Sequence, residues 1–370
     1  MTAVVDTGVG AATAEALRSA RRAGHRFGWR ALAYALLGAA LVTEIVLFAP
    51  YLEHAASALH HVDPGWTAAA VVVELISMGA FARVQRRMLA AGGSRVSICR
   101  MVRLTYAANA LSLTLPGGTA LSSGYVFRRL RGWGASGPAA GFTILASGVL
   151  SVAAFALLAL TGAVLAGGTD LGSLITLALI VSIGTSLVLL RRRSPDLLLS
   201  AAERGLRRGN RLIRRDPESG LAALRGFASE VRTIRPRSRD WAVGLGHASL
   251  NWAADFACLV ATAYAVGLGH VSLPLVLVAY VAGMSAASIV PIPGGFGPTD
   301  AAMILTLTGG GVATVSATAA VLLYRLISFA LIVAVGWIVW AASAYADRRA
   351  RGRLPIARAE VVETPAVVEA

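Results

Sequence analysis

The chain has no lysine: every one of its 34 basic side chains is an arginine. Only two cysteines, Cys99 and Cys258, occur in 370 residues, and such scarcity implies neither a disulfide framework nor a cysteine metal site. Charge of any kind is sparse. Some 14% of residues are ionised side chains, against about a quarter in a soluble globular chain. Acids are scarcer than bases, which leaves a formal net charge of +15. The sequence has no phosphate-cradling Gly-Lys-Ser/Thr loop, no dinucleotide glycine fingerprint, no zinc spacing and no Ser/His/Asp arrangement in a supporting context. The expectation is therefore a protein without cofactor or resident metal, and not an enzyme.

Apolar residues fill the space the charges leave. They make up 56% of the chain, with a mean hydropathy of +0.68. Runs near the length that crosses a bilayer, about 20 residues, lie at 31–49, 66–82, 138–166, 171–190, 241–267 and 317–346. This pattern predicts an all-α, polytopic membrane helix bundle. The arginines gather where these runs end, as the positive-inside rule requires, and that placement argues against nucleic-acid binding.

Orientation follows from the same rule. Arg18, Arg21, Arg22, Arg26 and Arg30 precede the first run, which puts the basic tail 1–29 in the cytoplasm. That tail lacks the apolar core of a cleaved signal, so the first run is expected to serve as an uncleaved one. The loop 50–65 carries His54, His60, His61 and Asp63 without arginine and faces outside. Its polarity is that of an ordinary loop rather than of a metal cluster. A basic stretch, 191–240, reads either as a pair of amphipathic helices on an anionic leaflet or as a solvated connector. The residues 347–370 form a cytoplasmic tail with the composition of a disordered segment.

Two apolar segments break in the middle. Pro291-Ile292-Pro293-Gly294-Gly295-Phe296-Gly297-Pro298-Thr299-Asp300 interrupts the region 272–307, and Leu115-Pro116-Gly117-Gly118-Thr119 interrupts 104–126. Broken backbone at membrane depth is tolerated only where protein buries it or water reaches it. Arg103 and Arg128 flank the earlier break, which places both of its ends in the cytoplasm. Around the later break, parity requires both ends outside. Each segment thus reads as a re-entrant helical hairpin, the two entering from opposite faces. The segments 66–82, 104–131 and 138–166 then match 241–267, 272–307 and 317–346 as two inverted repeats. Interrupted segments at corresponding places of inverted halves point to a transport site.

Ionisable residues inside spans cost roughly 2.5–3.5 kcal/mol on insertion scales, so each needs a reason. Glu74 and Asp255 open the two repeats and are expected to relay protons, bind a polar headgroup or join helices. Asp300 suits a half-helix N-terminus. Arg325 is expected to meet a lipid phosphate or to pair with Asp300. Glu44 lies near a span end and reads as structural. Asn109 and Asn251 read as interhelical hydrogen-bonding residues. The tips Pro116, Gly117, Gly118 and Pro293, Gly294, Gly295, Gly297 offer tight turns whose amides can face an anion.

The stretch from Pro291 to Ala301, with Leu322-Leu323-Tyr324-Arg325, resembles the signature of the lysylphosphatidylglycerol synthase/flippase transmembrane family. Asn109-Ala110-Leu111 through Pro116-Gly117-Gly118 and Arg128-Arg129-Leu130-Arg131 resemble its first-half motif. The resemblance covers most of 30–346 and implies a flippase-like transmembrane domain that moves a lipid between leaflets. Its implied partner is an anionic phospholipid or a polyprenyl-phosphate-linked lipid, with a lipid- or glycan-synthesis enzyme as a further one. The implied location is the bacterial inner membrane. The soluble aminoacyl-transferase domain of bifunctional members has no counterpart here, and Thr299-Asp300 stands where members usually show Arg-Glu. Two other functions fit the composition: a membrane scaffold for polyprenyl-phosphate or glycolipid assembly, and, with fewer acids than it would need, a lipid-dependent glycosyltransferase.

Overall fold

The computed structural model describes residues 62–115, 117–165, 167, 195–212, 215–289, 293–295 and 297–352. The basic tail 1–29, the runs 31–49 and 171–190, the residues Glu44, His54, His60, His61, Pro116 and Phe296, and the tail beyond 352 lie outside the described residues. Among the described residues the regular structure is entirely helical.

The first helix, α1 (Pro64–Ala91), starts where Asp63 accepts from the amides of Gly65 (2.7 Å) and Trp66 (3.0 Å), with proline in the first turn. Such a cap satisfies amides that have no helical partner. It settles Asp63 as a helix cap. The next three helices are α2 (Ile98–Thr114), α3 (Gly118–Gly132) and α4 (Gly137–Leu165). The basic connector forms α5 (Pro195–Leu212) and α6 (Leu221–Thr233). Then come α7 (Ser238–Ala265), α8 (Leu273–Ile289), a 3₁₀ turn at Pro293–Gly295, and α9 (Pro298–Gly309). The last span is α10 (Thr314–Arg325), a π-helical segment (Leu326–Leu331) and α11 (Ile332–Gly352) in one continuous run. Among the described residues, three helical stretches are long and apolar enough to cross a membrane: Pro64–Ala91, Gly137–Leu165 and Thr314–Asp347.

The central pair is α1 against α7, antiparallel and in contact from end to end. At one end the Asp63 amide donates to Ala265 O (2.9 Å), and Trp66 stacks on Tyr264. In the middle Asn251 donates to Ser77 Oγ (2.7 Å) and to Ser77 O (3.1 Å). At the other end Arg87 pairs with Asp240 (2.6 Å). Ala70, Ala248, Ala254 and Cys258 are buried in the bundle, and small side chains of this kind let helix backbones approach closely without water to drive them.

Two helix pairs flank this centre. The short turn through Gly117 returns α3 against α2. A β-carbon on Gly118 would collide with the carbonyls of Leu111 and Ser112. The ends of this pair meet α1 and α4 in one apolar cluster with Leu89, Val96, Met101, Leu130 and Ala140. The turn after α8 likewise returns α9, with Gly283 against Met303 and Gly310 against Leu275. That pair closes a second cluster near the opposite end of α1 and α7, around Ala70, Leu259, Tyr280, Leu307 and Ala317. Outside the bundle, α6 sets Phe227 into the notch left by Gly141 of α4, and Leu221 is buried. At least part of the apolar face of the connector is thus spent on the bundle. Arg225 grips Glu203 of α5 (2.7 Å), and its hydrogen bond holds that carboxyl below the usual range.

Candidate functional site

The decapeptide tip is built by its glycines. Gly294 (φ 69), Gly295 (φ 67) and Gly297 (φ 84) all take left-handed backbone that a side chain would strain. Pro298 then opens α9, and Asp300 in its first turn accepts from the Gly297 amide (3.2 Å). A carboxylate at that place also complements the positive end of the helix.

Arg325 reaches this turn from the last span. Its Nε lies 2.9 Å from Asp300 Oδ1, its Nη2 donates to the Gly294 carbonyl, and its guanidinium sits 5.5 Å from the Phe329 ring centre. The side chains are 8% and 17% exposed. The planar fork of arginine suits this double task, which a point-charge ammonium would not perform. Four residues singled out in the sequence, Gly294, Gly297, Asp300 and Arg325, therefore form one cluster.

One residue back in the same helix, Tyr324 donates to Asp255 Oδ1 (2.9 Å), and Tyr280 of α8 donates to Asp255 Oδ2 (2.7 Å). Glu74 of α1 lies beside both Asp255 and Cys258, and it is 3% exposed. The acids that open the two halves are thus neighbours across the α1–α7 seam. The adjacent positions Tyr324 and Arg325 link this carboxyl pair to the glycine turn.

Other expected residues stand apart from this centre. Asn109 donates weakly to the Met78 sulfur (3.5 Å), joining α2 to α1. Gly117 (φ 65) makes the turn between α2 and α3, and Gly118 allows their close approach. The Pro293–Gly295 turn packs against α2. Sequence reasoning missed Tyr280, Ser77 and Cys258. A buried tyrosine in an apolar run carries no sequence signal of its own. Tyr324 carried one, as the neighbour of Arg325 in the quoted motif. Among the described residues no group of three metal-ligating side chains occurs.

A profile of the family described as the lysylphosphatidylglycerol synthase TM region matches residues 21–336. The chain belongs to this family. The matched region takes in both glycine turns, the carboxyl pair and Arg325. Lysylphosphatidylglycerol synthase TM regions are membrane domains, and the apolar helices agree that this chain is an integral membrane protein. Family membership ties it to phospholipid modification or transport. Comparison with curated proteins returns no match.

Proposed function

We propose that this protein translocates an anionic phospholipid or a polyprenyl-phosphate-linked lipid between leaflets, without covalent chemistry. The observation that carries the reading is the buried Asp300–Arg325 pair at a glycine turn, with the Arg325 guanidinium also on the Gly294 carbonyl. A phosphate can replace both partners of that guanidinium with one bidentate contact. The Glu74–Asp255 pair beside it can take up or release the proton that balances the exchange.

Two re-entrant hairpins in inverted repeats form the proposed frame. Its support is the order of helix packing. Within the first half, α1 packs on α2 and α4, α2 on α3, and α3 on α4; in the second half, α7 packs on α8 and α10, α8 on α9, and α9 on α10. Between halves, α2 packs on α11 as α8 packs on α4. Exchanging the halves leaves the scheme unchanged, as a pseudo-two-fold axis through the α1–α7 seam would require. Rocking one half against the other around a fixed site would then expose it to each leaflet in turn. The arginine-rich end would face the cytoplasm of a bacterial inner membrane, with both termini there.

The test is the exposure of labelled lipid headgroups in vesicles carrying the purified chain. Accelerated exchange of a phosphate-bearing lipid, lost in Arg325→Lys while the melting transition is kept, is the expected result. No acceleration with any anionic or polyprenyl lipid would overturn the reading and favour a scaffold for lipid or glycan assembly.

A further inference from the structure

A second site lies at the arginine-rich end of the α1–α7 seam, away from the glycine turn. Four arginines, Arg83, Arg86, Arg87 and Arg95, line a cavity of about 470 Å³ together with His247. Among the described residues one acid, Asp240, meets this group, and it is held by Arg87. Arg86 spends its Nε on the Val96 carbonyl (3.2 Å), and the His247 Nδ1 donates to the Val243 carbonyl (2.8 Å). Arg83 folds back along α1 to the Gly79 carbonyl (3.0 Å), where the missing side chain of Gly79 leaves it room. The positive charge of the cavity therefore exceeds the negative charge that the described residues supply to it.

The cavity continues into a trough. A second hollow, of about 490 Å³, is lined by Val72, Leu75, Ile76 and Leu250. These four side chains are all roughly half exposed on the bundle surface. Arg83 lines both hollows. A cationic basin and an apolar groove that share one arginine have the charge and the polarity order of a lipid, headgroup first and acyl chain after.

We infer that this end of the α1–α7 seam binds a lipid whose headgroup carries a terminal phosphate, with the phosphate among the arginines and an acyl chain along Val72, Leu75, Ile76 and Leu250. Arginine forks recognise phosphate by paired hydrogen bonds. The surplus of positive charge favours a phosphomonoester over a zwitterionic headgroup. Arginines placed only by membrane orientation would need neither the cavity nor the adjoining trough. The site is a matter of binding and stands whether or not the protein moves lipid between leaflets.

The experiment titrates the purified full chain in neutral detergent with dioleoyl phosphatidic acid, dioleoyl phosphatidylcholine or inorganic phosphate. Bound lipid is read by native mass spectrometry, and the melting temperature is followed alongside. Phosphatidic acid is expected to bind at least about tenfold more tightly than phosphatidylcholine, the difference that one charge-assisted contact makes. The pair Arg83→Gln/Arg95→Gln should abolish that preference, and Arg95→Gln alone, at an exposed position, should weaken it. Arg100→Gln/Arg103→Gln removes the same charge from the neighbouring helix and should leave the preference within about twofold. Ile76→Ser/Leu250→Ser should weaken phosphatidic acid binding without altering the response to inorganic phosphate. An equal loss in the Arg100/Arg103 variant would overturn the site in favour of diffuse surface charge. Stabilisation by inorganic phosphate equal to that by phosphatidic acid would overturn the lipid in favour of a free anion.

Discussion

At the scale of single residues, the Asp300–Arg325 pair decides most. Removing one member of a buried ion pair strands the other, at a cost of about 3–5 kcal/mol. Arg325→Leu is therefore expected to lower stability by that order. The double variant Asp300→Leu/Arg325→Leu should cost less than the sum of its singles, because no stranded charge remains. Thermal melts of the four proteins in one detergent check both statements. Loss of lipid exchange in the double variant, with its fold regained, would separate function from structure. Tyr324→Phe deletes one neutral donor to Asp255 and leaves that of Tyr280 (2.7 Å), so its cost should be about 1 kcal/mol. The sequence made Arg325 and Asp300 legible because each is an ion in an apolar run, Arg325 being the base set against the acids there. It did not make the cradle of Asp255 legible. Tyr280 meets that carboxylate only because α8 packs on α7 at a particular rotation, which apolar periodicity does not specify.

Among elements, glycine position separates tight seams from open faces. Gly336 of α11 lies against the Tyr106 carbonyl and Ala110 of α2, and an added β-carbon would clash with both. Gly336→Ala is expected to cost about 1–3 kcal/mol by overpacking. Gly246, inside α7, has open space where its β-carbon would be. Gly246→Ala should instead gain about 0.5–1 kcal/mol, since it relieves backbone entropy in a helix. Opposite shifts in melting temperature for the two variants are the expected outcome. The start of α9 was readable from the chain, where Asp300 follows the glycine tip, whereas Asp63 read as loop and became a cap only with the helix it opens. The fate of the basic connector was not readable either. Whether an amphipathic face meets a leaflet or a neighbouring helix depends on a notch such as Gly141, which becomes meaningful only once Phe227 stands opposite it.

For the whole molecule, the hairpin arrangement makes a topological prediction. In a Cys99→Ser background, cysteines replacing Arg103 and Arg128 should both react with an impermeant label from the same side of the membrane. The exposed Cys99 must be removed first, while Cys258 is buried. Reaction from opposite sides would dismiss the hairpin reading of α2 and α3 and the inverted repeat with it. The family and the all-helical membrane character could be read from 291–301 and from the spacing of the apolar runs. The basin of Arg83, Arg86, Arg87 and Arg95 could not, because arginines at the end of a span are what membrane orientation alone produces. Only the cavity they share distinguishes a recess for a ligand from a row of surface charges.

The wide turn at Leu326–Leu331 begins directly after Arg325. An underwound stretch of this kind accommodates one residue more than a regular helix does over the same rise. If this stretch tightened into regular α-helix, everything beyond it would revolve by about 100°, the angle that one residue contributes to an α-helix. The guanidinium anchored on the glycine elbow would then stay still while Gly336 swung away from Tyr106. Deleting Ser328 removes the surplus residue, so a regular helix should then keep Gly336 on Tyr106, and a melting curve of that variant checks it.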